Sequence, residues 1–154
     1  MAPILTTPQF PELSLPESGW DLHIGRGSRA EAVGWRPALE VHTGDGLIDV
    51  AVAGGLDHTL LRGALRGRRA GRKWALAWGH LPGGPHLGTH LETDLGNTEV
   101  VVEFRTRRTT QRVTATAIAG AFWVAEAPGG FRSVAVTTGP QRAAARLRRY
   151  RPSH

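Results

Sequence analysis

The chain has 154 residues, a formal net charge of +6 and no cysteine. This length suits one domain able to bury its own core, and the missing cysteine excludes disulfides, thiolate metal sites and a cysteine nucleophile. The charge is uneven: residues 1–61 carry eight acids against three arginines, and residues 62–154 carry sixteen basic residues against five acids, an asymmetry suggestive of a polyanionic partner.

Residues 1–19 contain four prolines and no apolar periodicity, which predicts an extended Pro-rich arm and not a signal peptide. Residues 20–154 then form a single β-rich domain. No apolar run reaches the roughly 18 residues of a membrane span, so a soluble, cytoplasmic protein without membrane insertion is expected.

Packing is expected to begin at Trp20, with Leu22 and Ile24 alternating after it. From Trp35 onward the pattern has the period of two that sets alternate side chains on one face of a strand. "ALEVH" and "LIDVAV" flank the turn signal "TGDG" and predict a hairpin. "GRRAG" turns the chain into "KWALAWG", where Trp74, Leu76 and Trp78 make an apolar ridge. A short strand is expected between His90 and Leu95, and "TEVVVEFRT", "RVTATAIAG", "AFWVAEA" and "FRSVAVTT" continue the alternation between glycine and proline turns.

The tail "QRAAARLRRY" fits a short helix by its alanines and the preceding Pro140. It also fits a last strand by Ala143, Ala145 and Leu147, and the helix is the favoured reading. Strand-like segments recurring about every ten residues predict an all-β fold, an antiparallel β-sandwich or barrel of about nine strands.

"WALAWGHLP" at residues 74–82 and "AIAGAFWVAEAPGGFRSVAV" at residues 117–136 resemble the small β-sandwich modules of actinobacterial proteins. In these, a tryptophan strand ending in W-G-x-x-P is followed by a short G-x-F strand pair and a P-G turn. The resemblance covers about half the chain and implies a β-sandwich. Such modules accompany membrane-anchored or sigma-factor-linked regulatory proteins, and no functional residue carries over.

Three basic clusters are candidates for polyanion contact. Arg66, Arg68, Arg69, Arg72 and Lys73 surround one predicted hairpin tip, and Arg105, Arg107, Arg108 and Arg112 bracket another. Charged side chains also keep any exposed turn in water, so a solvated tip is the favoured reading and phosphate contact the alternative. If both tips emerge at one end, they form one positive patch. Arg142, Arg146 and Arg149 would share a face of a C-terminal helix.

His86, His90 and Glu92, downstream of His80, have the side-chain chemistry of a zinc or non-haem iron site, but a well-placed third ligand is missing. No cofactor is expected. Nucleophile elbow, zinc-protease helix and phosphate-loop motifs are all absent. Trp123 alternates with Phe122 and Val124, so its face must be either covered by another layer or exposed as a contact for a partner. The leading expectation is a non-catalytic interaction protein with a protein partner, self-association included. A basic nucleic-acid-binding or regulatory module is the alternative, and a metal-dependent enzyme built on His80 to Asp94 ranks third.

Overall fold

A computed structural model describes residues 12–26, 36–54, 58–82 and 99–152. The expected strand between His90 and Leu95, together with His86, His90 and Glu92, lies outside these residues.

Thirteen strands form three sheets. The first sheet runs in the order β1 (Leu13–Ser14), β2 (Asp21–Arg26), β3 (Pro37–Thr43) and β4 (Gly46–Val52). A central sheet contains β5 (Gly63–Arg69), β6 (Arg72–His80), β9 (Thr116–Ile118), β10 (Phe122–Pro128) and β13 (Arg148–Arg149), in the order β13-β5-β6-β10-β9. The third sheet contains β7 (Val101–Arg105), β8 (Thr110–Thr114), β11 (Ser133–Thr138) and β12 (Gln141–Arg146), in the order β12-β11-β7-β8. Every pairing is antiparallel except that of β13 with β5. Among the described residues no sheet closes into a barrel.

The central sheet is buried on both faces, and its sequence shows why. Along β6, Trp74, Leu76 and Trp78 enter a core shared with Leu22, Ile24, Leu39 and Val41 of the first sheet. The intervening Ala75 and Ala77 enter a second core, shared with Val102, Phe104, Val134 and Val136 of the third sheet. β10 divides in the same way, Phe122 and Val124 to one side, Trp123, Ala125 and Ala127 to the other. Large side chains facing one neighbouring layer and small ones facing the other let three layers pack on one another.

Gly63 and Gly67 on β5 pair with Trp78 and Trp74 on β6. A Cβ at either glycine would collide with the indole of its partner. The tryptophan rings therefore lie across the neighbouring strand where it has no side chain, which broadens the apolar face presented to the first sheet.

The edge strand β4 is tied down by side chains of the central layer. Arg62 donates to the Asp49 carboxylate through Nε (2.7 Å) and Nη2 (3.0 Å), and through Nη2 to the Val50 carbonyl (2.9 Å). Trp78 Nε1 donates to the same carboxylate at 2.9 Å. His80 Nε2 lies 3.2 Å from the Val52 carbonyl, and its Nδ1 lies 3.2 Å from both the N–H and the carbonyl of Thr59.

Burial holds the His80 pKa below its usual 6.5, outweighing the opposite influence of the Val52 and Thr59 backbone groups. The unfolded chain therefore gains a proton as pH falls through about 6.5 while folded His80 stays neutral, so stability is full above that pH and declines below it. The thermal midpoint, followed by circular dichroism, is expected to fall between about pH 7 and pH 5, and His80→Gln is expected to flatten that decline. An unchanged slope in the variant would assign the acid sensitivity to other groups.

Three sequence expectations are corrected here. The C-terminal helix is absent: Gln141–Arg146 pairs along the whole of β11, with Val136 opposite Ala143 and Val134 opposite Ala145. Cross-strand pairing overrides the helical preference of alanine. The described residues alone hold thirteen strands, not about nine, because β1, β9 and β13 are pairings of two or three residues that leave little trace in alternation. Packing begins upstream of Trp20: Leu15 and Ser18 are buried, and Glu126 accepts the backbone N–H groups of Glu17 and Ser18 at 2.8 and 3.1 Å. Among the described residues there is no helix, hence none long and apolar enough to cross a membrane.

Candidate anion-binding cleft

Strand register brings the two basic hairpin tips and the Arg146–Arg149 part of the C-terminal cluster to one end of the sandwich, while Arg142, opposite Thr137, lies at the other end of β12. β10 runs antiparallel to β6 with Pro128 opposite Trp74, so the chain leaving β10 emerges beside the β5–β6 tip, where the Gly129 N–H donates to the Lys73 carbonyl at 2.9 Å. β11 begins with Ser133 opposite Arg105, at the base of the β7–β8 tip, where the Arg132 N–H donates to the Arg105 carbonyl at 2.8 Å. β12 ends with Arg146 opposite Ser133. β13 then sets Arg149 beside Arg66.

Between these segments opens a cleft of about 720 Å³ lined by Arg66, Arg105, Arg107, Arg132 and Arg146, with the hydroxyl residues Thr106 and Ser133 among them and, among the described residues, no carboxylate. The five arginines come from β5, β7, the β7–β8 tip, the β10–β11 connection and β12. Arg105 is engaged by Glu103 at 2.8 Å. Hydrogen bonding from Arg105, outweighing the effect of desolvation, holds the Glu103 pKa below its ordinary value, so this pair stays charged at neutral pH. Arg66, Arg107, Arg132 and Arg146 form no ion pair among the described residues. The Arg66 Nε is buried without a hydrogen-bond partner.

Like charges in contact repel by about 1 kcal/mol per pair even in bulk water. A fold gains nothing by converging unpaired guanidinium groups on one concavity. An oxyanion placed there reverses the sign of each interaction, and the planar fork of arginine matches a phosphate through two parallel hydrogen bonds.

The remaining candidates have other positions. Arg68 and Arg72 are exposed on the β5–β6 tip, where Ala70 and Gly71 turn the chain with φ of 50° and 79°, as a two-residue hairpin requires. Arg69 donates to the Pro16 carbonyl at 2.9 Å and so braces the turn before β2. Lys73 packs along Gly130. Arg108 is exposed at the β7–β8 tip, and Arg149 on β13. Arg112 reaches Glu103 at 3.4 Å. Arg142 is exposed on β12, opposite Thr137.

Trp123 is no surface contact residue: it is 0% exposed, and its Nε1 donates to the Leu60 carbonyl at 2.7 Å. The third sheet supplies the covering layer that its alternation with Phe122 required. His80 has both ring nitrogens engaged by backbone groups, and among the described residues no three histidine or acidic side chains gather as a metal set.

Two features escaped sequence reading. Arg132 stands alone after "PGGF", outside any basic run, and only the pairing of β11 with β7 carries it to the cleft. The Asp49–Arg62–Trp78 network joins residues 13 and 29 positions apart, and no local spacing announces it. Burial opposes the charged form of Asp49, but hydrogen bonds from Arg62 and Trp78 prevail and lower its pKa.

Set against known protein families, curated proteins and solved structures, the chain matches none. The functional reading therefore rests on the three-layer fold and its arginine cleft.

Proposed function

We propose that this domain is a binding module for the phosphate backbone of a nucleic acid. The observation that carries the reading is the convergence of five arginines on a cleft lined, among the described residues, by no carboxylate. Basic side chains continue beyond it along the two hairpin tips, which suits an extended polyanion better than a single small ion. Phosphate contacts of this kind position a strand without reading its sequence.

The test is the salt dependence of binding to a labelled 20-nucleotide oligo(dT), measured by fluorescence anisotropy. Each phosphate neutralised on a single strand contributes about −0.7 to the slope of log K against log salt, so five arginines predict a slope near about −3.5. Binding that ignores salt, or no binding at low salt, would overturn the reading.

A second reading, contact with a protein partner or a second copy, draws on the edge strand β4, where Leu47, Ile48, Val50 and Val52 are exposed by 54, 40, 39 and 36%. Light scattering after size exclusion tests it: an oligomer dissolved by Val50→Lys supports it, and a monomer of the natural sequence with no partner retained on that face counts against it.

A further inference from the structure

A second cleft, of about 760 Å³, shares Arg146 with the first. The chain crossing from β12 to β13 runs between the two, contributing Leu147 to one and Arg148 to the other. The second cleft opens along the edge of the central sheet, because β13 pairs with β5 only at Leu65 and Arg66. Its chemistry differs from that of its neighbour. Ile48, Leu61 and Leu65 give it an aliphatic wall, and Arg62 stands among them.

Arg62 is not a mobile surface cation. Two hydrogen bonds to Asp49 and one to the Val50 carbonyl fix its guanidinium plane, and Trp78 fixes Asp49 in turn. A guanidinium plane held in this way is a platform on which a nucleobase stacks, as it would on an aromatic ring. Trp20, Trp74, Trp78 and Trp123 are all buried, so none of these indoles offers an open face for a base.

We propose that the cleft beside Arg62 is a nucleobase subsite, in which a base stacks on the Arg62 plane against the aliphatic wall while the adjoining phosphates lie in the arginine cleft and Arg146 spans the two. This rests on the phosphate-binding reading and deepens it. The ligand is then a single strand, since a base paired within a duplex cannot leave its stack to enter the cleft without paying for unpairing. Arg62 and Asp49 already satisfy each other, so the subsite selects a flat apolar body and discriminates weakly among the bases.

The experiment uses the full chain and three labelled probes in anisotropy titrations at equal salt: dT12, a 12-mer of the same backbone with abasic residues, and the dT12·dA12 duplex. The expected result is that dT12 binds about tenfold tighter than the abasic strand and tighter than the duplex. Ala145 is exposed on β12 and lines the second cleft. Filling the cleft with Ala145→Leu should lower dT12 affinity to the abasic level and leave the abasic affinity and the melting temperature unchanged. Equal affinity of the natural protein for dT12 and the abasic strand, or tighter binding of the duplex, overturns the subsite and leaves the phosphate reading standing. Failure of all three probes to bind in a salt-dependent way overturns both.

Discussion

Trp123→Ala is expected to destabilise the domain by about 3–5 kcal/mol, the usual range for truncating a large buried aromatic side chain. The indole is fully buried in the core between the central and third sheets, beside alanines too small to collapse into the space it would leave. Its loss also orphans the Leu60 carbonyl, which accepts the indole N–H. Urea denaturation measures the effect directly. A loss below about 1 kcal/mol would be the signature of a surface residue and would contradict the three-layer core.

The largest effect on binding is expected from replacing Arg107, Arg132 and Arg146 together with alanine. All three are exposed and none has an ion-pair partner among the described residues, so folding stability should shift by no more than about 0.5 kcal/mol for each. Removing three phosphate contacts to a single strand should flatten the salt slope by about 2, which corresponds to about 100-fold weaker binding near 0.1 M salt. Oligo(dT) titrations over a range of salt give both numbers. An unchanged slope would move the binding surface elsewhere.

The sequence carried much of the fold in its local patterns. The hairpins β3–β4, β5–β6 and β7–β8 were legible because turn signals separate alternating apolar segments. The ridge of Trp74, Leu76 and Trp78 was legible as one packed face. The second face of β6, made of Ala75 and Ala77, was not, since small residues there resemble spacing and not a core. With that face invisible, the third layer was invisible too, and Trp123 looked like a choice between cover and exposure. The tail was misread for a related reason: "QRAAAR" has strong helical preference in isolation, and only the pairing of β12 with β11 selects a strand.

The candidate site was legible in composition and not in geometry. Runs of arginine marked Arg66, Arg105, Arg107 and Arg146, but which members converge depends on register between strands far apart in sequence. Register took Arg69 to the Pro16 carbonyl and Arg142 to the end of β12 beside the β11–β12 turn, away from Arg146, and it brought in the isolated Arg132. Arg62 became informative only through its partners on β4.

Arginine-selective modification with phenylglyoxal, read residue by residue by mass spectrometry with and without oligo(dT), tests the central claim most directly. The arginine cleft predicts that Arg66, Arg107, Arg132 and Arg146 are protected together by the oligonucleotide, while Arg142, exposed on β12 outside the cleft lining, reacts at an unchanged rate. Protection centred on Arg142, or spread evenly over all the arginines, would contradict a cleft built to hold phosphate.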